Sequence, residues 1–214
     1  MRSITGVVAV LGIDLAKRVF ALHGVDGSGK VVLKQVISRS ALTRVIAQLQ
    51  PCLIGLEACS GAHEWARQFQ CHGHTVKLIA PAFVSPYRKS GKNDDNDAEA
   101  ICEAVSRPNM RFVPVKTRDQ QALLSLHRVR QGFVEERTAL INRLRGLLAE
   151  FGLVFAQRHG GLRAIPNALE GLPPLARRAS RTCSIICESS TSASLATISN
   201  SNNWQARMTR RSGL

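Results

Sequence analysis

The chain has 214 residues, a net charge of +14 and a pI near 10.6, with 44% hydrophobic but only 5% aromatic residues. That length suits one domain of ordinary size plus an appendage, with an aliphatic core. The positive surplus points to phosphate backbones or anionic surfaces as partners. No run of 18 apolar residues occurs, which excludes a spanning helix, and the apolar start ends in Asp14 and Lys17 without a small-residue cleavage site, so a cytoplasmic, nucleoid-associated protein is expected. Six cysteines fall at 52, 59, 71, 102, 183 and 187 with no Cys-x-x-Cys spacing, and buried reduced thiols are expected. Cys71, His72 and His74 match no standard zinc finger and read as a helix end before a turn.

In chain order, "VVAVLGI" (7–13) reads as a central strand covered on both faces. "RVFALHGV", "DGSGK" and "VVLKQVI" predict strand, turn and strand. "SRSALTRVIAQLQP" carries Ser at an N-cap position, helical spacing at Leu42, Val45, Ile46 and Leu49, and a Pro stop. "CLIGLEA" predicts a second buried strand, "SGAHEWARQFQCHG" a helix ending at Gly, and "TVKLIAP" a third buried strand. "AFVSPYRKSGK" is a loop or short helix, and "DDNDAEAICEAVSR" a helix stopped before Pro108. An early antiparallel meander followed by alternating helices and strands predicts a mixed α/β sheet flanked by helices, compatible with a ribonuclease-H-like layout and with other α/β domains.

From about Thr117 the texture becomes one long amphipathic helix: Leu126, Phe133, Leu140 and Leu147 recur every seven residues, while Arg130 and Arg137 interrupt the neighbouring row of Leu123, Leu144 and Phe151. Packing on its own domain and pairing with a second copy both fit this seam. From Ala179 onward, 16 of 36 residues are Ser, Thr or Asn and Glu188 is the only acid, a composition that predicts a disordered tail.

The scarce acids concentrate in "SGKNDDNDAEAICEA". Asp94 and Asp97 are three apart at a helix start and share a face, with Cβ atoms about 5–6 Å apart; Asp95 points elsewhere. Asp14 follows the first buried strand and Glu57 ends the second. Each acid alone also fits a turn, a solvated strand end or a first-turn position favoured by the helix dipole. If the two strands are neighbours, however, four carboxylates meet at one end of the sheet. That cluster is unfavourable without a cation, and hard oxygen ligands suit Mg²⁺ or Mn²⁺. Lys17, Lys89 and Lys92 flank the acidic blocks as candidate phosphate neighbours or as ordinary solvated lysines.

"GIDLAK", "LEACSG" and "KNDDNDAEAI" together resemble the sequence blocks of the DEDD-type insertion-sequence transposases, the insertion sequence 110 family, related to the Piv invertases. The resemblance runs from about Gly6 to Arg178. It implies a RuvC-like domain of the ribonuclease-H class over residues 1–112, a helical coiled-coil arm over 113–156 and the start of a linker over 157–178, before the tail at 179–214. It implies Asp14, Glu57, Asp94 and Asp97 as catalytic, metal-binding acids, Mg²⁺ or Mn²⁺ as cofactor, and DNA cleavage and rejoining as activity. DNA is the implied partner, together with a structured guide RNA in some members and self-assembly through the arm. The family also carries a C-terminal domain with a nucleophilic serine that has no match here, so complete transposition is not expected of this chain alone. The abrupt change after "GLPPLARR" is what a shifted reading frame produces. A stand-alone junction-resolving nuclease and a non-catalytic nucleic-acid-binding remnant are the alternative readings.

Overall fold

The first three strands form an antiparallel meander: β1 (Val10–Leu15), β2 (Val19–Val25) and β3 (Val31–Ser38). The computed structural model describes residues 6–88, 94–155 and 169–211, leaving aside the side chains of 94, 95 and 201–211. Two compact units emerge, Met1–Arg118 and Asp119–Leu214. The turn between β2 and β3 is held by Asp26, whose Oδ1 accepts from the backbone N–H of Ser28 (2.9 Å), the Ser28 hydroxyl (2.7 Å) and the backbone N–H of Lys30 (3.0 Å). β1 starts later than the apolar run suggests and continues through Asp14, which pairs with Ala21. Asp14 therefore lies within the strand rather than after it, because the ladder to β2 persists to Leu15 and Phe20.

Helix α1 (Arg39–Ala47), strand β4 (Leu53–Glu57), helix α2 (Ala62–Cys71) and strand β5 (Thr75–Ile79) follow. Then come α3 (Pro81–Val84), a 3₁₀ turn (Ser85–Tyr87), α4 (Asp94–Val105) and the two-residue β6 (Phe112–Val113). The six-stranded sheet has the order β3-β2-β1-β4-β5-β6. β1, β4 and β5 run parallel, and the remaining pairs are antiparallel. β6 leaves no trace in the residue pattern, since its two residues are too few to show a period.

Alternation along the strands sends side chains to two different cores. Leu11 and Ile13 of β1, Ile54 and Leu56 of β4, and Val76 and Leu78 of β5 are buried with Leu42, Val45 and Ile46 of α1 and Trp65, Ala66 and Phe69 of α2. On the other face, Val10 and Leu53 pack against Ile101, Ala104 and Val105 of α4. Gly12 and Gly55 are register partners on that second face. A Cβ on Gly12 would stand 2.2 Å from the Ala98 carbonyl oxygen and 2.5 Å from the Cys102 nitrogen; one on Gly55 would stand 2.9 Å from Val105 Cβ. The missing side chains thus let α4 lie directly on β1 and β4.

α2 closes on Gly73, whose φ of 86° permits a left-handed cap: its N–H donates to Gln70 and that of His74 to Phe69. His74 is buried; its Nδ1 accepts from the Cys52 N–H (3.2 Å) and its Nε2 bonds the Ile46 carbonyl (3.2 Å), which ties α1 to the residue that leads into β4. Of the six cysteines, all reduced, Cys52 and Cys102 are buried, but Cys71 is exposed and Cys59, Cys183 and Cys187 are only half-buried. Burial raises the Cys52 and Cys102 thiols to about 11.

In the second unit, α5 (Arg118–Ala149) forms the expected long helix and ends on Gly152, at φ 74°. Its last turns place Leu144 and Leu148 in a cluster with Leu169 and Leu172, against which Ala176 and Cys183 pack. The tail expected to be disordered is instead helical: α6 spans Pro174–Arg211. One physical feature permits it. No Gly or Pro interrupts the chain from Leu175 to Ser212. Its hydroxyl residues bond within the helix, Thr182, Ser189, Thr191, Ser192 and Thr197 each donating to the carbonyl four residues back, which satisfies the hydroxyls without itself favouring the helix. No helix among the described residues is long and apolar enough to cross a membrane.

Gly12→Ala is expected to cost about 3 kcal/mol, since the new methyl meets backbone atoms that no rotamer change can clear. Gly27→Ala, where nothing lies within 4 Å of the added carbon, should remain within about 1 kcal/mol of the original chain. Urea unfolding of the two variants checks the contrast.

Candidate active site

The last paired residues of β1 and β4 are Ile13 and Leu56. One step further along these parallel neighbours stand Asp14 and Glu57, and strand alternation turns both to the face that carries Gly12, Gly55 and α4. Both carboxylates lie close enough to Cys59 to oppose ionisation of its thiol. Burial is the larger cause of that raised pKa, with Glu57 next and Asp14 after it.

α4 is the third contributor. Its Ala98 lies against Gly12 and its Cys102 thiol reaches the Val10 carbonyl (3.7 Å), so the helix runs back along β1 with its first turn at the carboxyl end of the sheet. That first turn brings Asp97 to the same place as Glu57. Arg88 joins them: its Nη2 donates to Glu57 Oε2 at 2.9 Å and its Nε to Asp97 Oδ1 at 2.9 Å. Glu57 and Asp97 are largely sheltered, with side-chain exposures of 17% and 27%, whereas Arg88 is 39% exposed. The guanidinium comes from the end of the 3₁₀ turn, where fully buried Val84 and half-buried Tyr87 are packed on α4.

Three of the four sequence-predicted acids therefore belong to one end of one face. The Asp94 side chain lies outside the described residues, as do Lys89 and Lys92. Lys17 is exposed in the β1–β2 turn, just beyond Asp14. Among the described residues no three His, Cys, Asp or Glu side chains form a group that could hold a metal ion. Between Glu57 and Asp97 the space is taken by the Arg88 guanidinium. Sequence reasoning missed Arg88 and Cys59. Cys59 stood in the quoted "LEACSG", yet its nearness to two acids is visible only once β1 and β4 are paired. Arg88 had no signal separating it from the other 28 Lys and Arg residues.

Comparison with known proteins follows the same residues. The family model for the DEDD transposases of insertion sequence IS110, described as "Transposase", matches residues 11–152. The chain is 55% identical over 148 residues to the "Probable family 20 transposase" of Pseudomonas aeruginosa, an overlap of 69% of this chain and 44% of that protein. It is 49% identical over 146 residues to the transposase for insertion sequence element IS1328 of Yersinia enterocolitica, covering 68% and 44%. It is 47% identical over 150 residues to the transposase for insertion sequence element IS1111A of Coxiella burnetii, covering 70% and 41%. The matched part is thus less than half the length of each of these relatives.

The shared field at Cys59 can be measured. Glu57→Gln and Asp14→Asn should each move the midpoint of Cys59 alkylation to lower pH, and so speed alkylation at pH values below the original midpoint. Site-resolved mass spectrometry distinguishes Cys59 from exposed Cys71. A midpoint unmoved in both variants would separate these acids from each other's neighbourhood.

Proposed function

Because the chain belongs to the DEDD transposases of the IS110 type, we propose that its first unit is a ribonuclease-H-like, RuvC-like domain that binds DNA and cleaves it with divalent metal. The mixed sheet supports this reading, with its leading meander and parallel strands β1, β4 and β5. The observation that carries it is the convergence of Glu57 and Asp97 on one guanidinium, with Asp14 beside Glu57 at the end of the adjacent strand.

The donor set fits a hard dication. Carboxylate oxygens from β1, β4 and α4 suit Mg²⁺ or Mn²⁺, and a cationic group already sits between two of them. Asp14, Glu57, Asp94 and Asp97 would hold the metal, which when bound would supply Lewis acidity and an activated oxygen nucleophile toward a phosphodiester. The chain's own part is to position these acids on a rigid strand pair and helix start and to hold the DNA. Its +14 charge attracts the phosphate backbone, and exposed Lys17 lies at the rim of the acidic end.

The wider activity is proposed on the same basis: strand cleavage and rejoining of an insertion element, with a structured guide RNA as a further ligand and self-association through the seam of α5. Leu126, Phe133 and Leu140 on that seam are half-buried.

Incubating the purified chain with branched and linear DNA, with and without Mg²⁺, tests the reading. Metal-dependent nicking is expected, and the double variant Asp14→Asn plus Asp97→Asn should reduce it by about a hundredfold or more while retaining DNA binding. Binding itself should weaken by on the order of a thousandfold between about 50 and 200 mM salt. Retained binding with no nicking in the unsubstituted chain would leave a binding role only, and salt-insensitive binding would remove the electrostatic account.

A further inference from the structure

We propose that Arg88 is a resident counter-cation of the acidic site, which leaves when metal enters and then engages a DNA phosphate, so that metal and DNA bind cooperatively through this side chain. The inference rests on the reading of Asp14, Glu57, Asp94 and Asp97 as a metal site and adds to it a residue that governs when the site opens.

The first observation is the double engagement. One guanidinium uses two of its nitrogens on two carboxylates from different elements, Glu57 at the end of β4 and Asp97 in the first turn of α4, both at 2.9 Å. A guanidinium stays charged at any pH the fold survives, so it cannot give up this place by losing a proton. It has to be displaced. A dication drawn to the same carboxylates competes for the same oxygens, and two cations held between them repel.

The second observation is that displacement does not require unfolding. The backbone leading to Arg88 is anchored by Val84, which is fully buried, and by Tyr87 packed on α4. The Arg88 side chain itself is 39% exposed, more than either acid it joins, so its open side faces solvent. Rotation about its side-chain bonds moves the charge outward while the 3₁₀ turn stays in place. The nearby Arg107 is occupied differently, paired with Glu103 and lying over the Tyr87 ring.

The third element is charge balance. With Arg88 seated, part of the negative charge of Glu57 and Asp97 is neutralised in the absence of metal, which avoids the repulsion an empty carboxylate cluster would carry. With metal seated, Arg88 becomes a surplus cation at the rim. A phosphate diester accepts two parallel N–H donors from a guanidinium as a carboxylate does. Linkage then requires reciprocity: DNA that engages the released Arg88 tightens metal binding, and metal tightens DNA binding by the same factor.

The test measures Mn²⁺ binding by the paramagnetic resonance signal of free Mn²⁺, with and without a duplex of random sequence, on the full chain, Arg88→Gln and Asp97→Asn. The expected results are that Arg88→Gln binds Mn²⁺ at least about fivefold more tightly than the unsubstituted chain without DNA, and that DNA tightens Mn²⁺ binding at least about fivefold in the unsubstituted chain but not in Arg88→Gln. If Mn²⁺ binds and Asp97→Asn weakens it, while Arg88→Gln leaves affinity unchanged or lowers it, the metal site stands and the role of Arg88 falls. If neither the unsubstituted chain nor Arg88→Gln binds Mn²⁺, both readings fall together. Should Arg88→Gln not fold, Arg88→Lys keeps the charge but lacks the planar fork, and is expected to raise Mn²⁺ affinity by a smaller factor. Unchanged affinity in that variant overturns the proposal.

Discussion

The close seating of α4 on β1 and β4 is the constraint from which the rest of the first unit follows. Two glycines, paired across adjacent parallel strands, remove the side chains that would otherwise hold the helix away. The helix backbone then approaches the strand backbone more nearly than any pair of apolar side chains would allow. This settles where the first turn of α4 falls relative to the strand ends, and hence where Asp97 stands relative to Glu57. A helix raised on alanines would carry the same acids at a different height. Positioning by backbone contact is also stiff, since it depends on no rotamer.

The concentration of acids in a strongly basic protein has an electrostatic logic at two scales. At long range, 29 Lys and Arg against 15 Asp and Glu make a surface that gathers polyanions. At short range, Asp14 and Glu57 both oppose ionisation of the Cys59 thiol, and Glu57 and Asp97 meet around a cation. In the structure that cation is supplied by the chain itself, from a segment packed against the same helix that brings Asp97. Elsewhere in this unit, exposed carboxylates have ordinary partners. Glu64 is bonded by Arg67, Arg118 and Gln68, which hold its carboxyl at about 2 and tie the 116–118 segment to α2.

Much of this was readable from residues alone because strands and helices impose periods. Leu11 and Ile13 alternate with Gly12 and Asp14, and Ile54 and Leu56 with Gly55 and Glu57, so the two acids had to share a face once the strands were neighbours. Three-residue spacing predicts Asp94 and Asp97 on one side of their helix; of the two, Asp97 has a described side chain, and it meets Arg88. What escaped the sequence was of another kind. Gly12 and Gly55 carry no pattern of their own; their meaning comes from a helix more than forty residues away. Arg88 is a single basic residue in a basic chain, defined only by what surrounds it in space. The tail escapes a reading by composition because Ser, Thr and Asn do not forbid a helix where no Gly or Pro breaks it.

That last helix has an unusual distribution of side chains. Ser180 and Ser190 are buried, while Leu175, Ile185, Ile186 and Leu195 stand exposed. Over these described positions the helix is inverted with respect to water: local hydrogen bonds sustain its backbone, while these four aliphatic side chains face solvent. Its exterior is adhesive. Four exposed aliphatic groups on one helix favour association with other apolar surfaces.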